Sequence, residues 1–182
     1  DPTAYYTATG NPPGYWIGKG AELVGGKVGT TASSKTVREL INERRNPSNG
    51  QYLGDVKLVE GDNGEAPVAG FDLTTRQPKS ISIWAFGDKE TRDGIDECMR
   101  RATEMTIEYF EKEYATTRAG QGGVASVSAD GVAGFVFDHY DSRDGDPQPH
   151  EHVVLSNRVR RSSDKVWTAL DGRKIYASLV EI

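Results

Sequence analysis

Apolar positions along the chain fall into short blocks separated by turn residues. After Ser33 and Ser34, either of which can cap, Val37, Leu40 and Ile41 recur at helical spacing. The pattern predicts a short helix to about Arg45, stopped by Asn46-Pro47-Ser48-Asn49-Gly50. Val68, Phe71 and Leu73 predict a strand before a break at Thr75-Arg76-Gln77-Pro78. Strict alternation in Ser80-Ile81-Ser82-Ile83-Trp84 then predicts a second one. Asp88 to about Thr117 reads as the clearest helix. Ile95, Met99, Ala102, Met105, Ile107, Tyr109 and Phe110 make a broad apolar face, and Gly120-Gln121-Gly122-Gly123 ends it. Four further strands are expected at Val124–Val127, Gly134–His139, His150–Val159 and Val166–Leu170, while residues 1–30, rich in Gly, Pro and aromatics, read as an irregular segment held by aromatic packing. Strands around one long helix, followed by hairpins, predict an α+β fold: an antiparallel β-sheet with helices packed mainly on one face, in a single domain over residues 1–182.

Composition narrows the class. At 36% hydrophobic residues, with no apolar run near the ~20 residues of a membrane span, membrane insertion is not expected. A single cysteine, Cys98, excludes an intrachain disulfide framework and a cysteine-based zinc finger, and fits a reducing cytoplasm. The start carries no signal-peptide pattern and Asp1 is not an initiator methionine, so a fragment of a longer protein is expected. Net charge is −5, which does not describe a chain coated for nucleic acid. The charge is uneven, however: Gly87–Tyr114 holds nine acids against five bases, and His150–Tyr176 six bases against three acids. A basic binding face on an acidic protein is compatible with that pattern.

The histidines carry the strongest chemical signal. His139, His150 and His152 are the only three in the chain and fall within 14 residues. In a strand, His150 and His152 project from one face, and the polar turn Asp141–Pro147 folds His139 back alongside them. Three neutral imidazoles converging in this way would hold a divalent metal and leave positions open for substrate; nitrogen-only ligation fits Zn, Mn, Ni, Co or Cu, and Mg would need oxygen ligands such as those of a phosphate. Asp72, between Phe71 and Leu73, is a carboxylate in an apolar strand. It suits the role of acceptor for the free N–H of a ligating histidine, or of a base. The pair Tyr5-Tyr6 offers a phenolic nucleophile.

Four blocks in this order resemble the conjugative relaxases of the TrwC/TraI (MobF) type, within the HUH endonucleases. They are Tyr5-Tyr6 with Pro13-Gly14-Tyr15-Trp16-Ile17-Gly18-Lys19-Gly20-Ala21; Gly70-Phe71-Asp72-Leu73-Thr74 with Pro78-Lys79-Ser80-Ile81-Ser82; Asp138-His139 and Ser142-Arg143-Asp144 leading to His150-Glu151-His152; and Trp167–Arg173. The resemblance implies a palm-like relaxase fold and a nickase acting on single-stranded plasmid DNA at the origin of transfer, with relaxosome and type IV secretion coupling proteins as partners in a bacterial cytoplasm. It implies Tyr5 or Tyr6 as nucleophile, His139, His150 and His152 as metal ligands, and Asp72 as an orienting or proton-transferring group. Phosphate contacts fall to Lys19, Lys79, Arg143, Arg158, Arg160 and Arg161. It also implies a further tyrosine cluster ahead of Asp1, which holds the family's primary nucleophile and makes Tyr5-Tyr6 the second cluster, and relaxase segments beyond residue 182. Five positions depart from the family pattern: Glu151 is usually apolar or small, Pro149 usually leucine, and Thr75-Arg76-Gln77 usually aromatic-Ser-Ala. Two other readings use the same residues: a non-catalytic DNA- or relaxosome-binding homologue, and a three-histidine metallohydrolase.

Overall fold

Phe135, Val136, Phe137, Val153 and Leu155, each no more than 1% exposed, lie on two neighbouring strands around which the rest of the chain is arranged. The computed structural model describes residues 12–55, 68–142 and 144–180. In chain order the elements are β1 (Tyr15–Ile17), a 3₁₀ segment (Lys19–Val24), α1 (Ser34–Ile41), β2 (Gly70–Arg76), α2 (Lys79–Ala85), α3 (Lys89–Tyr114), β3 (Thr116–Ala119), β4 (Ala125–Ser128), β5 (Gly134–Asp141), β6 (Pro147–Ser156), β7 (Arg158–Arg160), β8 (Trp167–Ala169) and α4 (Gly172–Val180). An antiparallel sheet in the order β1-β5-β6-β2 forms the centre, and β3-β4 and β7-β8 make two small two-stranded sheets.

Alternation along β5 and β6 divides the core. On one face Phe135, Phe137 and Val154 join Trp16, and are covered by Val37, Leu40 and Ile41 of α1, Ala21 and Val24 of the 3₁₀ segment, and Leu53. On the other face Val136, Val153 and Leu155 join Ile17 and Phe71 beneath Ile107 and Phe110 of α3, with Val159, Leu170 and Ile175. The expected α+β architecture holds, and α2 adds to the α3 side by packing on α3 and β6. Of the two expected caps for α1, Ser33 serves, its Oγ accepting from the Thr36 N–H at 3.1 Å; Asp88 caps α3, its Oδ1 accepting from the Thr91 N–H at 2.8 Å.

Several local expectations are corrected. Ser80–Trp84 is not a strand but most of α2. Pro78 ends the β2 ladder and stands at the cap of the helix, and the residues this helix buries are the small Ser82 and Ala85, while Ile83 and Trp84 are 66% and 64% exposed. A five-residue alternation is too short to outvote that packing. α1 stops at Ile41, four residues before Arg45. α3 stops at Tyr114 and buries a narrow stripe of Thr103, Ile107 and Phe110, leaving Met105 and Tyr109 exposed. The glycine cluster at 120–123 therefore turns β3 into β4 instead of ending a helix. Tyr15–Ile17, expected to be irregular, is an edge strand, the strand expected over His150–Val159 breaks at Asn157, and α4 was not anticipated.

One glycine guides the chain into the sheet. A Cβ on Gly14 would lie 2.4 Å from the Phe137 ring, so only glycine lets the segment ahead of β1 cross the face that carries Phe137. If α2 is set by Ser82 and Ala85, Ser82→Leu overpacks the contact and should cost about 1–3 kcal/mol in urea unfolding, whereas Ile83→Ser should stay within about 0.5 kcal/mol.

Candidate metal centre

Pairing of β5 with β6 sets His139 directly opposite His150 and Phe137 opposite His152, so all three imidazoles stand on one sheet face. Their ring centroids are 5.3 Å (His139 to His150), 4.9 Å (His139 to His152) and 5.1 Å (His150 to His152) apart, and one nitrogen from each lies within 4.8 Å of the others. The turn that closes the hairpin uses Gly145 at φ 78° and a Ser142 N–H to Asp146 carbonyl bond of 2.8 Å. His139 is 6% and His152 9% exposed. Burial, then the charges of His152 and His150, hold the His139 pKa down to about 4, so this imidazole is neutral and a competent ligand at neutral pH.

Two of the three rings have their tautomers fixed by a neighbour. His152 Nδ1–H donates to Asp72 Oδ1 and Oδ2 at 3.0 and 2.9 Å, and His150 Nδ1–H donates to the Gln148 carbonyl at 2.8 Å. In each the Nε2 lone pair is left for a cation. Asp72 reaches His152 because β2 pairs with β6: Asp72 opposes Val154, Thr74 opposes His152 and Arg76 opposes His150. Three imidazoles with two outer acceptors are a donor set suited to a divalent metal, and the residues present fit such an ion.

The reverse face of the same strands is acidic and partly buried. Glu151, 4% exposed, accepts from the Thr103 hydroxyl of α3 and from Thr75 at 3.3 Å. Burial pushes its carboxyl up, opposed first by the Thr103 bond. Asp138 is likewise raised by burial, with Arg100 opposing. Tyr140, donating to Asp96 at 3.3 Å, is pushed up to about 12 by burial and then by that carboxylate. Glu151 therefore sits between two ligands in sequence yet faces away from them.

The other expected site residues are spread over the surface. Tyr5, Tyr6 and Arg143 lie outside the described residues. Lys79 is at the histidine end, its Nζ donating to the Pro147 carbonyl at 3.1 Å and standing 3.6 Å from Asp146. Lys19 pairs with Glu111 at 3.9 Å beside α3. Arg158, Arg160 and Arg161 follow β6 at its far end, eight or more residues and roughly 25 Å of strand from His150. Arg160 is bound to Asp130 at 2.8 Å and Arg161 to Asp164 at 3.0 Å. The sequence reading missed Thr74, Arg76 and the Gln148 carbonyl. The first two were open to a period-2 count from Asp72.

A family model described as TrwC relaxase matches residues 1–182. The chain belongs to the TrwC relaxase family. Among curated relatives, the multifunctional conjugation protein TraI of Escherichia coli is 30% identical over 174 residues, covering 93% of this chain and 9% of TraI. Among solved structures, the conjugative relaxase TrwC in complex with oriT DNA, in its metal-bound form, superposes with a TM-score of 0.78 at 30% identity, over 98% of this chain and 60% of that one. TrwC complexed with a 27-mer DNA comprising the recognition hairpin and the cleavage site gives a TM-score of 0.76 at 31% identity, over 97% and 57%. This family member thus spans less than two thirds of each relative. Among its described residues no helix is long and apolar enough to cross a membrane.

Two outcomes test the centre. Asp72→Ala should weaken divalent-metal binding about 10- to 100-fold in a Co²⁺ titration, with the fold retained by circular dichroism. A pKa held below that of the unfolded chain makes His139 cost stability as pH falls from about 6.5 towards 4, because only the unfolded state takes up the proton. The metal-free melting temperature of the native protein should therefore drop relative to that of His139→Gln across this window. The raised carboxylates are common to both proteins and cancel in the difference.

Proposed function

We propose that this chain is the nicking core of a conjugative relaxase, cleaving and rejoining one DNA strand at an origin of transfer. The observation that carries the reading is the convergence of His139, His150 and His152 on a sheet face whose neighbouring positions, Asp72, Thr74 and Arg76, are exposed. Support comes from the oriT DNA and the metal present in the TrwC structures that resemble it.

The chemistry is a transesterification. A tyrosine hydroxyl attacks phosphorus; the Tyr Oη–P bond forms, the P–O3′ bond breaks, and the phenolic proton leaves as the departing 3′ oxygen gains one. A 5′-phosphotyrosyl link and a 3′-hydroxyl result, and reversal rejoins the strand. A divalent ion held by the three histidines supplies Lewis-acid neutralisation of the phosphate oxygens. Asp72 keeps the His152 ring oriented through Nδ1, which makes it a positioning residue. Tyr5 and Tyr6 are the nucleophile candidates. Gly14, which follows them in the chain, lies against the Phe137 ring on the histidine face.

Single-stranded DNA at the transfer origin is the proposed substrate, with relaxosome and type IV coupling proteins as partners in the bacterial cytoplasm. Among the described residues, Lys79 is the expected DNA cation nearest the metal centre. Arg158 and Arg161 would serve DNA farther away.

The test is incubation with labelled single strands tiling the transfer origin of the encoding element, in Mn²⁺ or in EDTA, followed by denaturing electrophoresis. The expected outcome is a metal-dependent protein–DNA band, abolished in His152→Ala and lost in Tyr5→Phe or Tyr6→Phe. Multiple turnover of a small phosphate ester without any adduct would overturn the proposal in favour of a metallohydrolase.

A further inference from the structure

Arg76 ends β2 directly opposite His150, and alternation puts it on the same strand face as Asp72 and Thr74, both bonded to the His152 ring. Opposed residues of an antiparallel pair hold their Cβ atoms about 4.5–5.5 Å apart, so its side chain starts beside a metal ligand. Arg76 is exposed, and among the described residues no ion pair or side-chain hydrogen bond engages its guanidinium. The nearest acid on its own strand face, Asp72, is four residues away and occupied with His152. Arg76 stands on the edge strand of the sheet, where it also borders the groove between α2 and α3 on the Glu151 face. A planar five-donor cation with no partner among the described residues, one strand spacing from an imidazole of the three-histidine cluster, is poorly explained as scaffold. With a metal ion in the three-histidine site, the two positive centres would repel, and an anion bridging them would relieve that repulsion.

We infer that Arg76 binds the same phosphodiester as the three-histidine centre, its guanidinium taking a non-bridging oxygen on the side opposite the metal. The inference rests on the relaxase reading proposed above. A phosphodiester carries one negative charge, and a second develops on its equatorial oxygens as phosphorus becomes five-coordinate. A charge-assisted fork beside the ion neutralises that increment where it appears. Lys79, held by the Pro147 carbonyl and near Asp146, is less free to do so.

The test compares the native protein with Arg76→Ala and Arg76→Lys. Adduct formation on the transfer-origin strand in Mn²⁺ should slow about 100-fold in Arg76→Ala, the scale of losing one donor to a developing oxyanion, with partial recovery in Arg76→Lys. Binding of labelled oligo-dT to the metal-free protein in EDTA should lose about 0.7 from its log–log salt slope in Arg76→Ala, as expected for one phosphate contact. Co²⁺ affinity should be unchanged, separating this role from that of the ligands. An adduct rate in Arg76→Ala within twofold of native, whatever the salt slope, overturns the inference and leaves the relaxase reading intact. Absence of any adduct with the native protein overturns both.

Discussion

Everything at the metal centre depends on the register of one hairpin. Pairing of β5 with β6 puts His139 across from His150, and Val136 across from Val153 in the apolar stretch of the same ladder. Slipping one of the strands by one residue would turn its side chains to the opposite face, sending His139 of β5, or His150 and His152 of β6, towards α3 and Asp138 or Glu151 into the metal site. The apolar residues hold the register because the same slip would misplace Phe135, Phe137, Val153 and Leu155, which fill the core on their two sides. The ligand geometry is therefore inherited from hydrophobic packing, and the imidazoles need no scaffold of their own.

The same two strands carry opposite electrostatics on their two faces. On one face stand the three imidazoles, two of them oriented by Asp72 and the Gln148 carbonyl. Behind them the buried Glu151 and the half-buried Asp138 lie beneath α3, close to Arg100 and the Thr103 hydroxyl. Burying a carboxylate is costly unless it is hydrogen-bonded, and Thr103 and Thr75 meet that need from α3 and β2. β6 is thereby tied to α3 and β2 at the residue between its two ligands.

The centre was legible in the sequence because its pattern is local. Three histidines within 14 residues, two of them two apart and all beside an alternating run, can converge only if the chain folds back between them. Asp72 was legible as a carboxylate misplaced between Phe71 and Leu73. The elements that escaped are those decided by distant partners. α2 alternates like a strand, and only its contact with α3 and β6 selects the helix that buries Ser82 and Ala85. β1 is three residues among prolines and glycines, made a strand by bonds to β5. The buried stripe of α3 is narrower than its apolar composition, so Met105 and Tyr109 were misread as core. Arg76 was passed over as part of a turn, since nothing near it in sequence says that β2 extends far enough to meet His150.

All three ligands come from β5, β6 and the short turn between them, while Asp72 arrives from 80 residues away. In the language of folding kinetics, the first shell has low contact order and its outer support high contact order. Closing a ten-residue loop is fast and entropically cheap compared with docking β2. The nascent hairpin can hence collect its ligands before the edge strands arrive. A cation present at that stage would bind a flexible clip first and the finished, Asp72-oriented centre afterwards, so that ion capture and folding become two steps of one process.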